Sequence, residues 1–270
     1  MYKKETFTAV ILFFILQICF AQSSFQNLEL GKNSLNYKGN PLKATDRKSL
    51  AFSDKGAWFG FGFLEQSEMQ GGFSGPFLMT EQNGVWLSSS FISLHLTDKN
   101  EQELIDWKTA LVNQNSYNSH LEQEFQNEKL EVKQQLVFSS GHSAIQKTSI
   151  TNRSSKTITL YPIYNSKTYL DNMQLSTEGQ FLKLVSSKSN AVGYIQFFNE
   201  GIDIVITKDS FTAKANKLTL KPNETKEIVV SQTYIFPQYD WKKENENLAK
   251  IQFNTVLKDT KKEKENQLPN

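Results

Sequence analysis

The chain has almost no cysteine, with Cys19 the single one among 270 residues. One thiol cannot form a disulfide within the chain, so the fold must be stabilised by a hydrophobic core. Histidine is also scarce, and His95, His120 and His142 fall in three different predicted strands or turns. Metal sites need several such ligands to converge, so we expect no metal and no cofactor.

An excess of charge of either sign is missing as well. The chain carries 30 Lys and Arg residues against 28 Asp and Glu residues, for a net charge of +2. Nucleic acids and acidic membranes are bound through strongly basic surfaces. We therefore expect no nucleic acid partner.

Long hydrophobic runs are limited to one stretch, Ala9 to Phe20, which is 12 residues long. A membrane-spanning helix needs about 20 residues. Two lysines precede the run, and the small residues Cys19 and Ala21 stand at the two cleavage-determining positions at its end. This pattern predicts a Sec signal peptide over residues 1–21, cut before Gln22. We expect a periplasmic or secreted protein that has no membrane association after cleavage.

What the sequence does contain is alternation of apolar and polar residues with period two. Leu130, Val132, Leu136 and Phe138 fall on one face of a predicted strand, and similar runs recur along the chain between short polar turns. Strands at this regular spacing favour an antiparallel sandwich over a βαβ fold. The sequence predicts an all-β fold, a large antiparallel two-sheet super-β-sandwich over residues 22–238, followed by a C-terminal linker helix.

From Tyr239 onward the apolar spacing becomes helical, with Trp241, Leu248 and Phe253 recurring among lysines, glutamates and asparagines. We predict a single helix over residues 239–258 and a disordered, charged tail over residues 259–270. The helix can be interpreted as a lid that closes one end of the sandwich, or as a connector to a domain that this chain lacks. Its periodicity does not separate the two.

The segment 56–76 holds six of the 13 glycines together with five large aromatic rings. Glycine permits close approach of the backbone, and aromatic rings supply flat apolar surface. The rings could stack on sugars, pack against another domain or fill the core of the sandwich. Over residues 59–63 the alternation predicts one strand face packed with phenylalanine and an opposite face that is almost bare.

Glu122 and Glu124 lie on one face of a predicted strand together with His120, an arrangement similar to a pair of catalytic carboxylates. Leu121 and Phe125 alternate with them and point the other way. The alternation favours a solvated strand face, so we assign no catalytic role to these residues.

Three blocks in the first third of the chain carry a family resemblance: DKGAWFG over residues 54–60, MQGGFSG over 69–75 and LMTE over 78–81. In order and spacing they resemble the N-terminal β-sandwich domain of bacterial α-glucosidases in glycoside hydrolase family 63. The resemblance extends over about residues 30–255. It implies a sandwich joined by a helical linker to an (α/α)6 barrel, and that barrel carries the acid and base of an inverting mechanism.

No motif that matches the family's catalytic acid or base occurs in this sequence, so no catalytic residue is carried over. The resemblance implies a non-catalytic N-terminal domain, from a truncated or split enzyme, that packs against a barrel absent from this chain or supplied by a partner chain. Trp58, Phe59, Phe61 and Phe73 become candidates for facing that barrel, and the residues from Tyr239 to Leu257 are interpreted as its linker. The alternative is a free-standing carbohydrate-binding or scaffold module that presents rings around Trp58 and Phe73 to α-glucosides.

Overall fold

The computed structural model describes residues 25–198 and 201–267. The predicted signal peptide and the last three residues of the predicted tail lie outside the described residues. Within them the elements in chain order are α1 (Gln26–Leu30), β1 (Phe59–Gly62), β2 (Ser74–Leu78), β3 (Val85–Trp86), β4 (Ser93–Thr97), α2 (Trp107–Ala110), β5 (Leu111–Ser116), β6 (Leu121–Gln126), β7 (Leu130–Phe138), β8 (Ser143–Asn152), β9 (Ile158–Lys167), β10 (Met173–Glu178), β11 (Phe181–Ser186), β12 (Val192–Phe197), β13 (Asp203–Ile206), β14 (Ser210–Lys214), β15 (Leu218–Leu220), β16 (Thr225–Ile235), α3 (Trp241–Leu248) and α4 (Phe253–Gln267).

The largest sheet has eight antiparallel strands in the order β10-β11-β12-β16-β8-β7-β6-β5. Strand β7 shows how the predicted alternation places side chains. Leu130, Val132, Leu136 and Phe138 are fully buried on the face that points into the core. Glu131 between them is exposed, as expected for a strand with one solvated face.

A five-stranded sheet packs against the inner face of the large sheet. Its strands run in the order β13-β14-β9-β15, and β4 also pairs with β9. Tyr164 of this sheet and Phe197 of the large sheet meet with ring centroids 5.0 Å apart, and Phe197 also lies 6.4 Å from Phe211. The predicted all-β sandwich is confirmed, and its core lies between these two faces.

A small third sheet, β1-β2-β3, adds side chains to the same hydrophobic core as the two larger sheets. Its first strand contacts the inner face of the large sheet, since the Phe59 ring lies 4.9 Å from the Tyr234 ring. The segment 56–76, with its glycines and rings, thus forms part of the sandwich itself.

The C-terminal region differs from the prediction of one helix and a disordered tail. It forms two helices, α3 and α4, separated by residues 249–252, and α4 continues to Gln267. Leu248, Phe253 and Leu257 pack on Val137 and Ile145 of the large sheet, on the face opposite the main core. The prediction for residues 259–267 is wrong because it considered the tail alone, without the sheet surface and the loop on which it docks.

Candidate functional site

The four aromatic side chains predicted to face another domain or a sugar divide into two groups. Phe59, Phe61 and Phe73 are 0%, 1% and 3% exposed and belong to the main core. The Phe59 ring packs at 5.3 Å from Phe138 of the large sheet. The prediction that these three rings form a contact surface is therefore wrong, because the sandwich itself covers them. Trp58 remains, with 59% of its surface exposed.

The glycines of strand β1 explain why the opposite face of that strand is bare. An added Cβ at Gly60 would lie 2.7 Å from the backbone oxygen of Phe52, and one at Gly62 would lie 2.6 Å from that of Tyr37. The chain segments 37–39 and 50–52 cross this face and exchange backbone hydrogen bonds with β1, such as Phe61 N to Phe52 O at 2.9 Å. Glycine is needed there for close backbone approach, not for contact with a ligand.

Trp58 belongs to an exposed aromatic surface. We define the Trp58 patch as Trp58, Met79, Phe236 and Tyr239. The backbone N–H of Met79 donates to Trp58 O at 2.9 Å, and the Phe236 ring meets the indole edge-on at 6.4 Å. Tyr239 is 50% exposed and rests on the imidazole of His142, with ring centroids 4.2 Å apart.

The Trp58 patch lies where the chain leaves the last strand of the sandwich. Phe236 and Tyr239 lie immediately after strand β16, where the chain leaves the sandwich and enters α3. The sequence pattern did not single out Met79, Phe236 and Tyr239 as companions of Trp58. The aromatic run that ends at Trp241 was a signal for them, but the pairing with Trp58 depends on a contact 178 residues apart in sequence.

The predicted linker residues attach α3 and α4 firmly to the sandwich. The Trp241 ring stacks in parallel on Tyr194 with centroids 3.8 Å apart. Asp240 caps α3 by accepting from Lys243 N, and Glu244 accepts from the Ser140 and Ser143 hydroxyls, each at 2.6 Å. These contacts fix the direction in which the chain departs from the sheet.

The end of α4 is attached as well. Lys264 donates to Asp54 at 2.6 Å, and Lys55 pairs with Glu263 at 3.1 Å. Asp54 and Lys55, which bind these α4 side chains, lie in the turn just before Trp58. The last helix therefore holds the loop that carries the exposed tryptophan.

Beside α4, the carboxylates singled out in the sequence form a buried charged cluster instead of the expected solvated face. Glu122 is 8% exposed and accepts from Lys133 Nζ at 2.9 Å and from Gln135 Nε2 at 2.8 Å. His120 is fully buried, 3.8 Å from Glu122, and its ring stacks on Tyr117 at 4.5 Å. The expectation of a solvated face is wrong for His120 and Glu122. Their side chains lie outside the main core but are still covered, by a helix and a loop.

The protonation states of this cluster follow from its surroundings. Burial lowers the pKa of His120, which favours the neutral imidazole. Burial alone would raise the pKa of Glu122, but its interactions with His120, Lys133 and Gln135 outweigh that effect and hold the pKa at about 2. Burial also lowers the pKa of Lys261 on α4 and raises that of Tyr117 to about 12. Glu122 is thus a permanently ionised structural group with its partners in place.

A second pair of carboxylates lines a pocket of about 210 Å³ near strand β9. Asp98 accepts from the backbone N–H groups of Asn100 and Gln102, at 2.7 and 3.0 Å, and so holds its own turn. Glu101 pairs with Lys214 at 2.7 Å. Both carboxylates of this pocket are thus engaged, one in turn hydrogen bonds and the other in an ion pair. Among the described residues no cluster of three His, Cys, Asp or Glu side chains could hold a metal ion.

Comparison with protein families decides what kind of domain this is. The family described as "Glucosidase YgjK, N-terminal" matches residues 39–196, more than half of the chain. The chain belongs to this family. The resemblance to a glucosidase N-terminal domain is thereby confirmed, and the narrower assignment to glycoside hydrolase family 63 stays a prediction.

Comparison with solved structures shows the fold. A protein described as a kojibiose phosphorylase from the human microbiome superposes with a TM-score of 0.54 at 11% identity, over 78% of this chain and 34% of that protein. This chain thus spans about a third of that protein's length. A protein described as an aldose 1-epimerase from Escherichia coli K12 gives a TM-score of 0.47 at 8% identity, over 67% of this chain and 97% of that one. Comparison with curated protein sequences finds no match.

The glucosidase N-terminal domain also has no helix, within the described residues, that is long and apolar enough to cross a membrane.

Proposed function

We propose that this chain is the non-catalytic N-terminal domain of a glycoside hydrolase of the α-glucosidase type, which packs against an (α/α)6 catalytic barrel. The observation that carries the proposal is the Trp58 patch. An indole 59% exposed and an exposed tyrosine at the exit of the last strand leave apolar surface in water at the point where a following domain would begin.

The non-catalytic role is supported by the state of the carboxylates. Inverting hydrolysis needs one carboxylic acid and one carboxylate, about 6.5 to 9.5 Å apart, facing a sugar-sized cleft. Glu122 and Glu124 are both bound to Lys133 at 2.9 Å, and Glu122 is covered. Glu122, whose pKa is held at about 2, is a poor proton donor, since its ionised form is favoured.

The activity is tested with the purified chain from residue 22 to 270, assayed on p-nitrophenyl α-glucoside, maltose and kojibiose. The expected result is no turnover above the uncatalysed rate. Turnover that is lost on Glu122→Gln or Glu101→Gln would refute the proposal. The melting temperature of each variant checks that the loss does not reflect unfolding.

The docking surface is tested by photo-crosslinking in cells that make the protein. A benzoylphenylalanine in place of Trp58 is expected to form crosslinks to peptides of an (α/α)6 barrel, which mass spectrometry identifies. The matched control is the same probe at Val112, which is also 59% exposed and lies on the edge strand β5. Equal crosslinking at both positions, or crosslinks at Trp58 only to proteins without such a barrel, would contradict the docking surface.

We also propose a periplasmic or secreted location, based on the signal pattern over residues 1–21. Cell fractionation and N-terminal sequencing are expected to give a mature protein that begins at Gln22. A cytoplasmic protein with an intact N-terminus would contradict this location.

A further inference from the structure

A polar pocket of about 530 Å³ lies on the outer face of the five-stranded sheet and shares no residue with the Trp58 patch. Strands β9 and β14 form its floor, where Asn165 and Thr212 are direct cross-strand neighbours. Gln70, the loop at residues 88–89 and Tyr169 form its walls. Its volume falls within the range of about 300 to 1,000 Å³ that is usual for small-molecule sites.

The side-chain amide of Asn165, in the floor, is oriented by a group outside the pocket. The side-chain oxygen of Asn165 lies 3.2 Å from His95 Nε2, and the other ring nitrogen of His95 bonds Glu103. The side-chain oxygen of Asn165 faces the imidazole, and its NH₂ group points away from the ring and has no acceptor among the described residues. The hydrogen bond to Glu103 raises the pKa of His95, which favours the protonated ring that can donate from Nε2 to Asn165.

The side-chain amide of Gln70, in the wall, is also oriented by a side chain of strand β4. Gln70 accepts through its side-chain oxygen from the Ser93 hydroxyl at 2.7 Å, and its NH₂ group also has no acceptor among the described residues. Ser93 and His95 are two residues apart on β4, so they lie on one face of the same strand. Two side chains of strand β4 thus position the amide groups of Gln70 and Asn165 beside one pocket, although these two residues are 95 positions apart in sequence.

The remaining lining adds hydroxyl groups, a ring and little charge. Ser89 and Thr212 contribute hydroxyls beside the floor. Tyr169 is 36% exposed, and its ring is held because its hydroxyl donates to Pro41 O at 2.8 Å. The one charged side chain in the lining, Lys167, is neutralised by Asp209 at 2.9 Å.

From this geometry we propose that the pocket binds one or two residues of a neutral sugar. Fixed amide donors, hydroxyls that both donate and accept, and an exposed ring complement a ligand that carries many hydroxyl groups and one apolar face. Donors held in place before binding lose little conformational freedom when the ligand arrives. The site requires no barrel, so it is independent of the proposed docking at the Trp58 patch.

The test is isothermal titration calorimetry of the chain from residue 22 to 270 with maltose, and with glucuronate as a charged comparison. Saturable binding of maltose in the millimolar range is expected. Asn165→Asp and Gln70→Glu keep the size and the anchored oxygen but remove the amide donor, so each should weaken binding by at least about tenfold. The matched control Asn100→Asp, an exposed amide outside the pocket, should bind as the parent does.

A positioning role for His95 is tested separately. His95→Gln keeps a nitrogen that can donate to Asn165, so it should retain more affinity than His95→Leu, at similar melting temperatures. If either pocket variant fails to fold, Thr212→Val and Ser89→Ala replace it and are also expected to weaken binding.

No heat with maltose at tens of millimolar, equal affinity of the parent and the pocket variants, or tighter binding of glucuronate than of maltose would each overturn the proposal. Trp58→Ala should leave maltose binding unchanged. A failure of sugar binding is therefore distinguishable from a failure of the docking surface.

Discussion

The carboxylate of Glu265 accepts a hydrogen bond from the backbone N–H of Leu28 at 2.9 Å, so the last described helix caps the first. Its second oxygen accepts from Asn27 N at 2.8 Å. Phe25, at the N-cap position of α1, offers no capping side chain of its own. A residue 237 positions away therefore satisfies two N–H groups that a short helix leaves unpaired.

Replacing Glu265 with alanine should lower the free energy of unfolding by about 1 to 2 kcal/mol, because two backbone donors lose a charged acceptor. Urea denaturation measures the loss, and hydrogen exchange should locate it at residues 26–30. Glu246→Ala, at an exposed position of α3, is the control and should stay within about 0.5 kcal/mol of the parent. Equal effects of the two variants would show that the cap contributes nothing.

Replacing Gly60 with alanine should destabilise the sandwich by about 2 kcal/mol or more, since the added methyl group would lie 2.7 Å from Phe52 O. Gly31→Ala is the matched control, because its nearest atoms lie at 3.5 Å or beyond and its φ is −81°. That variant should be neutral or slightly stabilising. Denaturant midpoints of the two proteins give the comparison, and a tolerated alanine at position 60 would show that the crossing segment 50–52 is free to move.

Trp58 and Phe59 are neighbours in sequence but should respond oppositely to truncation. Phe59→Ala removes a fully buried ring from the core and should cost about 3 to 5 kcal/mol of stability. Trp58→Ala removes a ring that is 59% exposed, and we expect a loss of less than about 1 kcal/mol. Thermal unfolding of both variants tests this, and a strongly destabilised Trp58→Ala would make the indole a structural group and not a free surface.

Acid should destabilise the domain partly through Glu122. Its pKa is about 2 in the folded state, below the ordinary value of 4.5, so it stabilises the fold above pH 4.5. That stabilisation, on the order of 2 kcal/mol, should be lost as the pH falls from 4.5 towards 2. His120, with its lowered pKa, acts in the same direction below its ordinary value of 6.5.

Melting curves of the parent and of Glu122→Gln between pH 7 and pH 2 test this assignment. The variant should be less stable at pH 7, and the difference should shrink as the pH falls below 4.5. Glu101→Gln is the control, because the pKa of Glu101 is also lowered by Lys214 but this pair is exposed and screened by solvent. A difference that is constant with pH would contradict the low pKa of Glu122.

Much of the fold could be predicted from local pattern. The alternation around Leu130 and Phe138 indicated strands, their spacing indicated a sandwich, and the spacing of three short blocks indicated the glucosidase N-terminal family. These features are local because a strand's two faces are set by a period of two residues, whatever the strand packs against.

The candidate sites were less predictable, because the same local pattern is compatible with several environments. Nothing in the sequence around Glu122 shows that α4 lies beside it, or that Lys133 and Gln135 of the neighbouring strand β7 bind it. Gln70 and Asn165 likewise have unremarkable neighbours in sequence, and only strand β4 brings their amides to one pocket.

The sequence by itself determined which segments are strands, which faces are apolar and which family the chain resembles. Only the tertiary structure decided that Phe59 is buried while Trp58 is exposed, and that the charged residues 259–267 belong to a helix. The physical reason is that secondary structure reflects the periodicity of neighbouring residues, whereas burial and pairing depend on surfaces contributed by residues far away in the chain.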